Sequence, residues 1–308
     1  MHFPRIAEAY LLCPQSNLYF ERDLNSKRDL TTVYSPESEI RKPFRLVLSI
    51  LYSLPSAHHL GYRLFLRNLK GAYRQSLLGL FWTLIPPLVT SVIWIFLNSQ
   101  RVIKVDVEGI SYPIFVITGT ILWQTFSESV NGPLKGVVSG KSMLVKINFN
   151  REALILSGFY EVVYNAIIKI VLLVGIYLLM GQEITINFFL GLLGFISLMI
   201  LGVAIGILLT PIALLYNDIQ KGLALILQFA IYLTPVIYPQ PTEGTAAQLM
   251  RFNPVAPILV GTRDLLTNSL FMEVGPMLTI SAISLFSLLI GLFIFRLAIP
   301  VIIERIGS

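Results

Sequence analysis

The chain has 308 residues, 55% of them hydrophobic and only 13% charged. Soluble domains carry about 25% charged residues, so half that share excludes an ordinary water-soluble fold. The net charge of +6 would suit a nucleic-acid partner, but the basic residues flank long apolar segments, as topology signals do, so nucleic acid is excluded.

Residues 1–55 hold seven of the 23 basic and six of the 17 acidic residues, with prolines at Pro14, Pro36, Pro43 and Pro55. That composition predicts a polar, mostly irregular cytoplasmic tail. The single cysteine, Cys13, lies in it, so no disulfide is expected within the chain. The first thirty residues lack an apolar core with a cleavage site, so no secretory signal is expected. Residues 56–76 read as an amphipathic helix. Arg63, Arg67, Lys70 and Arg74 recur at helical spacing, and Tyr62, Leu66, Leu69 and Tyr73 form an adjoining stripe. Such a helix lies in the headgroup plane, its rings in acyl chains and its cations near lipid phosphates.

Residues 77–308 read as a membrane domain with six spanning helices, making an all-α integral membrane protein. The first span falls between Arg74 and Arg101, despite Pro86 and Pro87, and the second between Glu108 and Glu128. The third runs from about Ala153 to Met180, the fourth from Ile184 to Tyr216, and the fifth lies between Lys221 and Glu243. The sixth fills the gap from Glu273 to Arg296 and extends towards Pro300. Short loops on one side carry Lys135, Lys141, Lys146, Arg151, Lys221 and Arg305, against Arg101, Lys104, Arg251 and Arg263 on the other. That bias puts both termini in the cytoplasm. Between the fifth and sixth spans, residues 239–275 contain two apolar stretches too short to cross, about 246–252 and 256–267, which read as re-entrant helices.

Three features bear on chemistry. Residues 136–142 imitate a nucleotide-binding loop, but with three residues between the glycines where a phosphate cradle needs four, and with no preceding strand. In the third span Ser157, Glu161, Asn165 and Lys169 recur every four residues as a turning polar stripe. Ionisable groups at this depth are functional candidates by default. Glu161 and Lys169 stand roughly 12 Å apart, so either each has a partner on another helix or the stripe faces water. Trp123, Phe126, Tyr160 and Tyr164 offer flat rings suited to sugar C–H groups, or equally to packing. The histidines His2, His58 and His59 precede the spans and no Cys/His metal spacing occurs, so neither a metal site nor enzymatic chemistry is expected.

Five motifs in order resemble one family. The run from Tyr73 to Trp82, leading into a proline-containing span, resembles the N-terminal signature of permeases in O-antigen and polysaccharide ABC exporters. Lys141 to Glu152 is similar to their inner loop, Tyr216-Asn217-Asp218-Ile219 to their Tyr-Arg-Asp-Ile turn, and Thr234-Pro235-Val236-Ile237-Tyr238 and Phe252-Asn253-Pro254 to the segments around their outer lid. Asn150 and Asn217 depart from the usual proline and arginine.

The resemblance implies a homodimeric permease in a bacterial inner membrane, bound to two copies of a separate ABC ATPase that uses ATP and magnesium, while this chain binds no cofactor. It implies a lipid-linked glycan substrate. Lys141, Ser142, Leu144, Lys146, Asn148, Arg151 and Glu152 would form the ATPase-coupling loop. Tyr238, Phe252, Asn253, Pro254 and Arg263 would belong to the outer gate, and Trp123, Phe126, Tyr160, Glu161, Tyr164, Asn165 and Lys169 are the channel candidates. Alternatives are a teichoic-acid, lipid or drug exporter of the same build, or an ion- or proton-coupled transporter using Glu161 and Lys169.

Overall fold

A computed structural model describes residues 43–307 except 75, 108, 148, 242 and 270–273. Residues 1–42, Cys13 among them, and Asn148 of the inner loop lie outside the described residues. No strand occurs among those described.

Helix α1, Pro43–Arg74, begins well before residue 56 and contains Pro55. Phe44, Val47, Leu48 and Leu51 keep a helical period, and that outweighs one internal proline. Ala57, Gly61, Leu64 and Phe65 form its buried face. At Gly61 any side chain would meet the Ala153 carbonyl and Leu156. The face turned inward is therefore the neighbour of the stripe read from sequence, and Tyr62 stays 47% exposed.

The first charge-free stretch does not form one long helix. A 3-10 turn, Gly79–Thr83, precedes α2, Ile85–Ser99, because Pro86 and Pro87 lack N–H groups and fit only a first turn. Fifteen residues make about 22 Å, short of a hydrocarbon core. Helix α3, Tyr112–Ser139, runs through Glu128 and Pro133, so the inner connection narrows to α4, Lys141–Lys146, and its flanks. Helices α5, Glu152–Leu179, and α6, Ile186–Leu215, fall where expected. The fifth segment is shorter. Helix α7, Asp218–Ala230, passes into a 3-10 turn, Ile231–Leu233, and stops. Pro235 disfavours helical geometry in the residue before it, and Thr234 is extended at φ −119 and ψ 140. Two short helices, α8 (Gly244–Arg251) and α9 (Val255–Thr267), precede α10, Val274–Gly307.

Three helices among the described residues, α5, α6 and α10, are long and apolar enough to cross a membrane. At 28 residues α3 equals α5 in length, but its threonines, serines, Gln124 and Asn131 make it less apolar. The central pair is α3 against α6, with α5 on α3 and with α9 and α10 on α6. Apolar side chains gain little by leaving lipid, so close packing must hold such helices together. Small residues provide it. Gly132 of α3 lies on Gly158 of α5, and Gly202 and Gly206 of α6 fit under Ser129 and Val130 of α3, leaving no room for a methyl group.

Candidate functional site

Helix α3 carries polar residues that are only partly covered: Gln124, Ser127, Glu128, Asn131, Lys135 and Ser139. Leaving aside Ser127, they fall within an arc of about 80° and extend for about 22 Å. This stripe lies beside the one on α5, with the helices antiparallel and cross-linked twice. Lys135 Nζ donates to Glu161 Oε1 at 3.1 Å, and Lys169 Nζ sits 2.6 Å from Glu128 Oε1. Of the two readings left open for Glu161 and Lys169, partners on another helix is the observed one. The α3 half was missed because Glu128 read as the end of the second span and Lys135 as part of the loop beyond it.

The two pairs differ in kind. Lys135 is 67% and Glu161 38% exposed, so that pair contributes less than about 1 kcal/mol. Lys169 is fully buried and Glu128 one-third exposed. Ser127 Oγ and Glu128 Oε2 have no protein hydrogen-bond partner among the described residues. At roughly 3 kcal/mol for each ionisable group at mid-membrane, Lys169 and Glu128 facing lipid would cost on the order of 6 kcal/mol. This face is therefore turned to water or to protein. Its charges cancel in pairs, leaving a neutral wall of amides and hydroxyls.

The end of the wall nearer α4 opens into a cavity of about 540 Å³ between α1, α3 and α5. Lys135, Glu161 and Asn165 line one side, and Arg67, Asn68 and Tyr73 of α1 the other. Burial, and next the adjacent Tyr164, hold the Tyr73 phenol above its ordinary range, so it remains a neutral donor. Beside the cavity Tyr160 meets Tyr62 and Phe65 edge-on at 6.1 and 6.2 Å, and its hydroxyl lies 2.6 Å from His58 Nδ1. Tyr164 packs on Phe65 at 6.0 Å. Trp123 and Phe126, by contrast, are 4% and 3% exposed and pack against each other in the core. They do not line the wall, because their side of α3 faces α6, where Gly202 approaches the Phe126 carbonyl.

Arg63, Arg67, Lys70 and Arg74 are all exposed on α1. On the inner connection Lys146 and Ser142 are exposed and Leu144 is buried. Lys141, by contrast, is only partly exposed. Its ammonium donates to the Leu214 carbonyl at 3.0 Å, satisfying one of the open carbonyls that end α6. Arg151 precedes α5 at its N-cap, and Glu152 pairs with Arg296 of α10 at 3.5 Å. At the opposite end Phe252 is 87% exposed, Pro254 opens α9, and Arg263 is buried against Phe115. Asn253 and Tyr238 both bond to the segment around Leu233. Among the described residues no group of His, Cys, Asp and Glu could hold a metal ion.

Residues 59–267 match the profile of the ABC-2 type transporter family. The chain belongs to that family. The match to the ABC-2 type transporter profile starts within α1 and ends with α9, so it takes in the wall, the cavity and the inner connection. An O-antigen export system permease protein, RfbA, of Klebsiella pneumoniae is 24% identical over 231 residues, covering 72% of this chain and 88% of that protein. Its namesake in Myxococcus xanthus is 23% identical over 221 residues, 71% of this chain and 84% of that one. The polysialic acid transport protein KpsM of Escherichia coli is 22% identical over 243 residues, 76% and 91% of the respective chains. As an ABC-2 type transporter with long apolar helices, the chain is a multi-pass membrane permease.

Proposed function

We propose that this chain is the permease half of an ATP-driven polysaccharide exporter, and that the α3/α5 wall lines the path taken by the glycan. The paired polar stripes carry the reading. A glycan is too polar for hydrocarbon and needs a continuous wet surface of amides and hydroxyls. A wall whose charges are paired offers such groups without a net charge that would hold a passing chain. The names of the relatives, O-antigen export and polysialic acid transport, agree in substrate class.

The finer reading follows the resemblance. A homodimer would enclose the path between two such walls, and two ABC ATPase subunits would supply ATP and magnesium chemistry. Helix α4, with exposed Lys146, would be the coupling helix. Six crossings per protomer would count α2 and α7, each completed by its flanking turn, with α8 and α9 re-entrant and both termini cytoplasmic. The substrate would enter as a lipid-linked glycan beneath α1. Teichoic acid, lipid or drug remain substrates of the same architecture.

The test replaces Gln124 and Asn131 by leucine, removing polarity from the wall while leaving both ion pairs. Export of the glycan to the cell surface should fall about tenfold or more at unchanged protein level, and polymer should accumulate inside. Undiminished export would remove the wall from the path. The Lys169–Glu128 contact also favours a second reading, an ion- or proton-coupled transporter. Transport by the purified chain on a gradient alone, without an ATPase, would decide for it.

A further inference from the structure

The segment from Thr234 to Tyr238 is irregular backbone, and protein side chains take up most of the carbonyls in and just before it. Asn253 Nδ2 donates to the Leu233 carbonyl at 3.2 Å and to Thr234 Oγ1 at 2.9 Å. Arg263 Nη1 reaches the Pro235 and Val236 carbonyls at 2.8 and 3.3 Å. Tyr112 Oη donates to the Ile237 carbonyl at 3.2 Å, and Tyr238 Oη to that of Tyr232 at 2.7 Å. Gly119 of α3 adds the close approach, since any side chain there would strike the Val236 carbonyl. Broken backbone at membrane depth persists only when protein satisfies it in this way.

Helix α7, which leads into this segment, is far less held. It buries only Leu223 and Leu227, while Leu225, Ile226 and Phe229 are more than half exposed, as are Tyr232 and Leu233 beyond its end. The clasp is thus the firm point at one end of a loosely packed helix. At its centre Arg263 is 2% exposed, with its guanidinium carbon 3.7 Å from the centre of the Phe115 ring. One guanidinium nitrogen reaches both carbonyls while the planar group lies over the ring; an ammonium on a shorter reach has donors for the carbonyls but no planar face to place on Phe115.

We propose that Arg263 is a positioning residue for transport, the latch of the outer closure. It fixes the Thr234–Tyr238 segment against α3 and α9, and the outer mouth opens when its two carbonyl bonds are given up. The proposal rests on the exporter reading for one point, that this segment lies on the outer side.

The experiment uses the full chain in intact cells, with Cys13→Ser and a single reporter, Ile237→Cys. Ile237 is 4% exposed and its backbone carbonyl, the group held by Tyr112, survives the change. A membrane-impermeant maleimide reads the opening. Arg263→Lys and Arg263→Gln should each speed labelling about tenfold, and Tyr112→Phe, which removes one neutral bond, about threefold. A control cysteine at Leu198, fully buried on α6, should not change. Unaltered labelling at 237, or an equal rise at 198, would overturn the latch, the latter by showing general loosening. If the Arg263 variants fail to insert, Tyr112→Phe decides by the same comparison. Labelling of 237 only after permeabilisation would refute the assumed orientation, and an outer latch with it; labelling from outside at unchanged rates would refute the latch alone.

Discussion

Removing one partner of the Lys169–Glu128 pair should destabilise the protein very unequally, depending on which partner goes. Glu128→Leu leaves an ammonium at 0% exposure, with no other partner among the described residues, and should cost about 3–5 kcal/mol. Lys169→Met leaves a carboxylate whose side chain is one-third exposed, although Oε2 itself is buried, and should cost less, about 1–2 kcal/mol. The double replacement exchanges a partly desolvated ion pair for two apolar side chains and should come within about 1 kcal/mol of the parent. The cycle therefore predicts a coupling of roughly 4–6 kcal/mol. The assay is reversible denaturation of the detergent-purified chain, where 3 kcal/mol changes the folded-to-unfolded ratio on the order of a hundredfold. Equal single costs, a costlier Lys169→Met, or additive effects in the double variant would refute the reasoning. The double variant also separates folding from transport, because it should be stable yet present a less polar wall.

Two further predictions concern other parts of the fold. Lys141→Ala should destabilise the protein by about 1 kcal/mol by freeing the Leu214 carbonyl, whereas the exposed Lys146→Glu should leave stability alone and reduce co-purification of the ATPase; denaturation and pull-down measured side by side check both. Gly158→Leu should abolish folded protein, since even a methyl group would strike the Gly132 backbone, while Gly175→Ala, with open space around it, should gain about 0.5–1 kcal/mol in helix stability.

The long apolar helices were legible because hydrocarbon length and scarce charge leave one reading, and α5 and α6 fall within two residues of expectation. Half of the wall was legible too, since Ser157, Glu161, Asn165 and Lys169 repeat within one helix. The other half was hidden by the rule that found the first: charges mark span ends, and Glu128 was read as an end and Lys135 as loop when α3 continues through both. Pairing across helices is not written in either helix alone. The shortening of α2 and α7 is a proline effect, visible at Pro86, Pro87 and Pro235 but outweighed by a count of uncharged residues. Arg263 carried no signal beyond its place in a loop; its burial depends on Phe115 and on two carbonyls from a segment 27 and 28 residues away in sequence.

How a push at α4 would reach the wall follows from what α4 is fastened to. Gly140 lets the Leu154 side chain of α5 lie directly against the end of α3, Lys141 ties α4 to the last turn of α6, and Glu152 ties the start of α5 to α10. Further along, Gly132 and Gly158 lock α3 to α5, and Gly202 and Gly206 lock α6 to α3. Packing without slack transmits displacement rather than absorbing it. A load on α4 is therefore shared by four helices that move together, and both sides of the polar wall, α3 and α5, belong to that body. Helices α2 and α7 do not. Among the described residues α2 leans chiefly on α3 and α7 on its neighbour α6, with many apolar side chains uncovered. Relative motion is thus cheapest at these two helices, and it cannot occur within the wall without breaking two ion pairs and the glycine contacts between α3 and α5. A path whose lining moves as one piece while its flanks yield can open and close without rearranging the groups that face its cargo.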